Sequence, residues 1–333
     1  MPLRRAIAPV RRYPFFLLAA MVAASAGCAP RTGAESAAPA ADDAPAFCAE
    51  IPRPGWAAFE KRDAGDAWFD VFRLDENLYA IAEPRQWQEV ISYLIVGETR
   101  ALLFDSGNGI GDIRSVVDRL TTLPVTVLAS HSHFDHIGGH WRFDAILAPE
   151  TPYTDERARG YPNSAVREEA SAAALCAPLP DGVTENNHHV EAFAPTARVG
   201  EGTTIDLGGV ALEVLSIPGH TPDSIALLDR ANRRLFTGDT YYKGPIWLFV
   251  PETDLAAYAV SIARLAALAP ELAAVYGAHN EPMSAPEELV KVRDGFDAVM
   301  AGTAKPAEIG DGKARYEFAT FELLLQENHE IRK

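Results

Sequence analysis

Short apolar runs alternate with stretches in which apolar residues recur at helical spacing, and this rhythm organises much of the chain. Val90 to Val96 and Ala101 to Phe104 read as strands, and Ile110 to Thr121 as an amphipathic helix. Further on, Val210 to Ile217, Ile225 to Asp229 and Leu235 to Thr237 read as strands, Thr253 to Leu268 as a helix, and Ala273 to Tyr276 as another strand. Strands that alternate with helices predict an α/β fold, here two stacked mixed sheets with helices outside. Residues 149 to 200 interrupt the rhythm with prolines, charges and an Ala-rich helix candidate, Ser164 to Leu175. They predict a cap between two strand-rich halves. Tyr153, Tyr161 and Phe193 in the cap, with Trp247, Leu248 and Phe249 later, either wall a pocket or simply pack.

The N-terminal stretch has another pattern. Arg4, Arg5, Arg11 and Arg12 precede an apolar run, Phe15 to Ala24, too short to span a membrane as a stable helix, and small residues follow. Residues 1–28 therefore read as an export signal. Ala24-Ser25-Ala26 offers a cleavage site, while Ser25-Ala26-Gly27-Cys28 resembles a bacterial lipobox with Ser where Leu is usual; both readings stay open. From Ala29 to about Ala46 there is almost no large apolar side chain, so this part cannot bury enough surface to fold. Residues 29–65 are expected as a flexible tether and lead-in, and 66–333 as one catalytic domain. The expected location is the periplasm, or the outer membrane through a lipid on Cys28, the one membrane contact expected.

The formal net charge is −16, and about −20 once the residues through Cys28, with their four arginines, are removed. That balance argues against nucleic acid and leaves a small-molecule substrate as the expected partner. It fixes no oligomeric state. Cys48 and Cys176 are either a disulfide or two free thiols.

Residues 131 to 136 read His-Ser-His-Phe-Asp-His, directly after the apolar run Val125 to Ala129. Four potential ligands so close together cannot all reach one tetrahedral ion, because neighbouring side chains point in different directions, so the spacing suits two adjacent metal ions. Further ligand candidates follow other strand-like runs and a nearby glycine: His220 in Pro-Gly-His-Thr, Asp239 in Thr-Gly-Asp-Thr and His279 in Tyr-Gly-Ala-His. Two divalent ions about 3.5 to 4 Å apart can hold a hydroxide between them and polarise a carbonyl, which points to hydrolysis without a protein nucleophile.

On these residues the chain resembles the metallo-β-lactamase superfamily. The resemblance implies a four-layer αββα sandwich and a dinuclear centre, zinc by default, with Mn²⁺, Fe²⁺ or Co²⁺ also suited to such ligands. It assigns His131, His133 and His220 to one ion, Asp135, His136 and His279 to the other, and Asp239 as a bridge. The Gly-Asp turn at Asp239 is like that of the glyoxalase II, lactonase and acyl-thioesterase branches, whereas antibiotic-hydrolysing members generally lack a bridging aspartate. Thioester or lactone substrates are therefore expected ahead of β-lactams, with a non-catalytic metal-binding envelope protein as a further alternative. By the same resemblance Asp105 braces the metal loops, and Tyr242, or equally Tyr241, meets the substrate carbonyl or leaving group. Asp135 is a candidate proton acceptor. His140, His188 and His189 are expected at the surface or as caps, and His329 carries no signal. Asp223 stands where many relatives have glycine.

Overall fold

Strands whose residues are buried on both faces form the centre of the fold, and they are short apolar runs of the sequence. Ala101–Phe104, Ile225–Asp229 and Ala274–Gly277 are buried along their whole length, as expected for strands covered on both sides. A computed structural model describes residues 44–328. The export signal, Cys28 and His329 lie outside the described residues.

The first sheet holds eight strands in sequence order. They are β1 (Glu60–Arg62), β2 (Asp70–Asp75), β3 (Leu78–Ala82), β4 (Ile91–Val96), β5 (Ala101–Phe104), β6 (Val125–Leu128), β7 (Ala145–Pro149) and β8 (Ala197–Val199). Neighbours are antiparallel from β1 to β5 and parallel from β5 to β8. The second sheet contains β9 (Thr204–Asp206), β10 (Ala211–Ser216), β11 (Ile225–Asp229), β12 (Arg234–Gly238) and β14 (Ala274–Gly277), ordered β14-β12-β11-β10-β9. A third sheet, ordered β13-β17-β16-β15, is built from β13 (Gly244–Leu248), β15 (Glu308–Gly310), β16 (Lys313–Glu317) and β17 (Phe321–Gln326). The sequence pattern had pointed to two sheets only.

Alternation within the strands sorts side chains into layers. Leu102 and Phe104 of β5 join Leu212, Val214 and Phe236 of the second sheet in a shared core. Leu103, between them, points the other way, against Ile113, Val116 and Val117 of α1 (Ile113–Leu120). The outer face of the second sheet, through Leu228, Leu235 and Val275, packs on Ile262 and Leu265 of α5 (Leu255–Leu268) and on Leu289 and Phe296 of α6 (Glu287–Met300). Leu323 and Leu325 of the third sheet close the same core. The result is an αββα sandwich. Short helices interrupt the first sheet's part of the chain, α2 (Phe134–Ile137) between β6 and β7, and α3 (Pro152–Arg157) and α4 (Asn163–Val166) between β7 and β8.

Local chemistry sets several boundaries. Both α1 and α5 begin later than apolar periodicity suggests, because an aspartate caps each. Asp112 accepts from the Ser115 N–H at 3.4 Å, and Asp254 from Ala256 and Ala257 at 2.9 and 3.0 Å. The helix expected over Ser164–Leu175 is not formed. After α4 the chain makes separate 3₁₀ turns at Arg167–Ala170 and Ala172–Ala174, then Leu175 pairs with Gln86 as a β-bridge. Tertiary pairing there overrides the helical propensity of alanine.

The expected flexible lead-in, 29–65, differs from the structure over its described part. Residues 46–58 form two 3₁₀ turns, β1 pairs with β2, and Trp56 is buried with its indole N–H donating to the Asn280 carbonyl at 2.9 Å. Cys48 and Cys176 form a disulfide that fastens this segment to the stretch between β7 and β8.

Candidate metal centre

Strand direction brings the distant ligand candidates together. β10 and β12 both run antiparallel to β11, and β14 runs parallel to β12, so all three point the same way. His220, Asp239 and His279 follow their C-terminal ends. The His131–His136 cluster follows the C-terminal end of β6 in the other sheet, with Asp135 and His136 in α2. Two glycines are required here. A Cβ on Gly219 would lie 2.4 Å from the Tyr258 Cα, and one on Gly238 would lie 2.5 Å from the Ser130 Cβ.

One group consists of three ring nitrogens. His131 Nε2 lies 2.9 Å from His133 Nδ1, and His220 Nε2 lies 3.2 and 3.0 Å from those two atoms. In the second group Asp135 Oδ2 is 3.2 Å from His136 Nε2 and 3.7 Å from His279 Nε2. Asp239 lies between the groups: its Oδ2 is 3.6 Å from His220 Nε2, and its Oδ1 is 3.0 Å from His279 Nε2 and 3.4 Å from His136 Nε2. The structure thus brings all seven sequence candidates into one cluster.

Each ring is held from behind. His220 and His279 use Nδ1 to donate to the carbonyls of Trp247 and Gln88, at 2.8 and 2.7 Å. His133 donates from Nε2 to Glu252 Oε1 at 2.9 Å, His131 Nδ1 meets Ser130 Oγ at 3.1 Å, and His136 Nδ1 is 3.2 Å from Asp105 Oδ2. Asp105 also accepts the Ser130 N–H at 2.6 Å. With the outer nitrogens occupied, the inner ones face one another as lone pairs, an arrangement that a cation reconciles. His136 Nε2 and Asp239 Oδ1 are buried without a hydrogen-bond partner. The donor set, imidazole nitrogen with carboxylate oxygen, fits a transition-metal ion at each group.

The charge environment differs between the two groups, lowering His131 and His220 and raising His136 and His279. Burial, with His133 as a neighbour and against the pull of Asp239, brings the His220 ring down to about 4, and burial beside His136 and His133 holds His131 well below its usual value. Burial also works against charge on His136, but Asp135, Asp239 and Asp105 outweigh it and raise that ring. Against their own burial, His136 and His279 hold Asp135 below the usual carboxylate range, and His279 and His136 hold Asp239 well below it.

A cavity of about 380 Å³ opens on the cluster, walled by Trp87, Phe134, Tyr161, Tyr242, Trp247 and Val250. Tyr242 packs its ring 4.7 Å from that of His279, while Tyr241 is fully buried in the core. The Tyr242 hydroxyl donates to the Pro245 carbonyl, so its proton is already engaged. Tyr161 lines the cavity and donates to the Ser132 carbonyl at 2.9 Å. Phe193 instead packs on His140, with ring centroids 5.0 Å apart.

Two of the histidines expected at the surface or as caps are buried. His140 Nδ1 lies 2.6 Å from Ser106 Oγ, and burial takes its ring down to about 3. His188 is also enclosed, and only His189 of the three is exposed. Sequence reasoning missed Glu252, which accepts hydrogen bonds from the His133 ring and from the Tyr153 hydroxyl at 2.7 Å. It missed Arg157 and Glu169 too. No local motif marks Glu252 or Glu169, since their partners His133 and Gln86 to Gln88 are remote along the chain, and the Tyr153 and Tyr161 that flank Arg157 form no motif by themselves.

An αββα sandwich with a His/Asp cluster at its strand ends defines the class of metal-dependent hydrolases. The Metallo-beta-lactamase superfamily profile matches residues 86–279, and the chain belongs to that superfamily. An acyl-coenzyme A thioesterase, MBLAC2, of Gallus gallus is 31% identical over 212 residues, 60% of this chain and 75% of the relative. The hydroxyacylglutathione hydrolase GloC of Haemophilus influenzae is 25% identical, covering 48% of this chain and 70% of that protein. Among solved structures, a family protein of Thermus thermophilus, TTHA1429, superposes with a TM-score of 0.51 at 19% identity, over 69% of this chain and 82% of its own.

Proposed function

We propose that the chain is an exported dinuclear zinc hydrolase that cleaves an ester-like carbonyl, with thioesters or lactones preferred to β-lactams. The observation that carries this reading is Asp239, a carboxylate whose two oxygens reach toward both ligand groups. His131, His133 and His220 would hold one ion, Asp135, His136 and His279 the second, and Asp239 would bridge. Zinc is the metal these ligands suit by default, and Mn²⁺, Fe²⁺ or Co²⁺ would also fit. When bound, such a pair supplies Lewis acidity toward a carbonyl oxygen and lowers the pKa of water held there.

The chain's own residues do the rest. Glu252, Asp105 and the Trp247 and Gln88 carbonyls fix the ring orientations. Trp87, Phe134 and Trp247 limit water around the reacting carbonyl. Asp135, held ionised, lines the cavity where it can accept a proton. Tyr242 contacts the substrate once its hydroxyl leaves Pro245. The names of the relatives, a thioesterase and a hydroxyacylglutathione hydrolase, support thioester chemistry. The Cys48–Cys176 disulfide supports an oxidising compartment and hence the periplasm, with any membrane attachment through lipid on Cys28. The acidic balance of the chain supports a small-molecule substrate over nucleic acid.

The test is side-by-side hydrolysis of a glutathione thioester, an acyl lactone and a chromogenic cephalosporin by the zinc-loaded protein, with Asp239→Ala as control. Thioester or lactone turnover that drops by at least about a hundredfold in the control is the expected result. Efficient cephalosporin turnover with little on the other two would make the protein a β-lactamase instead, and zinc binding without turnover of any would make it a non-catalytic metal-binding protein.

A further inference from the structure

Apart from the ligand groups, the cavity contains three charged side chains, Arg53, Arg157 and Glu252. Two of them are already committed. Arg53 forks onto Glu89, with Nε at 2.9 Å and Nη2 at 2.6 Å, and reaches Glu50 at 3.0 Å. Glu252 accepts from His133 and Tyr153.

Arg157 is different. Its guanidinium carbon sits 4.9 Å from the ring centroid of Tyr153 and 5.3 Å from that of Tyr161, so two aromatic rings fix its position. Its polar neighbours are the Tyr153 hydroxyl and Glu156, the latter 3.9 Å away with a largely exposed side chain. Its Nε is buried and has no hydrogen-bond partner. Arg157 lines the cavity, so an oxyanion entering it can meet this guanidinium in a charge-assisted bond.

We infer that Arg157 anchors a carboxylate of the substrate, so that the preferred ester or thioester carries a single negative charge beside an apolar body. The planar fork of arginine matches a carboxylate in a two-point contact. A dianionic phosphate fits less well, because Arg157 is the one uncommitted cation among the cavity's described residues and Glu252 shares the same space. The aromatic walls take the apolar remainder.

The inference rests on the ester-hydrolase reading for the substrate's location, and the test separates the two by using a ligand that cannot be hydrolysed. 3-(Butylthio)propanoate and its primary amide differ only in the charged end, and both are thioethers. Calorimetric titration into the zinc-loaded protein is expected to show the carboxylate bound about tenfold tighter than the amide. Arg157→Met should erase the difference while leaving amide binding unchanged, which shows the cavity intact, and Arg157→Lys should retain part of it. Equal affinity in the native protein, no binding of either compound, or a preference that survives Arg157→Met overturns the inference. Lack of both thioester and lactone hydrolysis would overturn the ester-hydrolase reading and leave this binding result standing.

Discussion

Glu169 gathers three donors onto one carboxylate oxygen: Gln86 Nε2 at 2.7 Å, Trp87 Nε1 at 2.8 Å and Gln88 Nε2 at 3.4 Å. It thereby secures the turn whose Gln88 carbonyl orients His279. Burial pushes this carboxyl up from 4.5 to about 7, although the donors pull the other way. A raised carboxyl favours the protonated form in the folded state. The stability it contributes is fully present below about 4.5 and is lost as pH rises through about 7. Unfolding free energy should therefore decline between about pH 5 and pH 8, and Glu169→Gln, which keeps a carbonyl oxygen for the donors, should flatten part of that decline. Glu83, buried and also raised to about 7, supplies a further part. Denaturant titrations across this range check the point, and an unchanged slope in the variant contradicts it. Such residues were invisible in the sequence for a physical reason. The His131–His136 cluster announces itself because its members are neighbours, whereas Glu252 meets His133 across 119 residues.

At the scale of elements, a buried carboxylate joins three segments. Asp223 accepts from Ser132 Oγ at 2.5 Å, Thr154 Oγ1 at 2.9 Å and Thr221 Oγ1 at 2.7 Å. It thus ties the loop after β6 to α3 and to the turn that carries His220. Asp223→Ala leaves three buried hydroxyls without that acceptor and should cost about 3 kcal/mol, measured by urea unfolding, with Asp223→Asn costing less. A loss under about 0.5 kcal/mol would show that the hydroxyls find other partners. The sequence marked Asp223 as a departure from relatives but said nothing of its partners. The strands of the site region were legible to within a residue or two, since long apolar runs leave little choice. The cap was not, because alanine at 172–174 favours a helix locally while the Leu175–Gln86 bridge and the Cys48–Cys176 disulfide impose another path.

The whole molecule places its ligand candidates where two sheets meet, one loop from the first sheet and three strand ends from the second. Convergence of seven side chains from four segments was legible because each segment has its own strand-then-glycine signature, or the His-x-His-x-Asp-His spacing. The third sheet was not, since β15 to β17 lie past the last motif and pair mainly with each other and with β13. On the proposed function, this junction holds two ions that act together. It is tested by loading metal-free protein stepwise with zinc while following both bound zinc and thioester hydrolysis, in the native protein and in His279→Ala. The expected result is two zinc ions per chain, with full hydrolysis only when the second is bound, and one ion with at least about a hundredfold slower hydrolysis in His279→Ala. Full hydrolysis with a single ion, unchanged in His279→Ala, would contradict it.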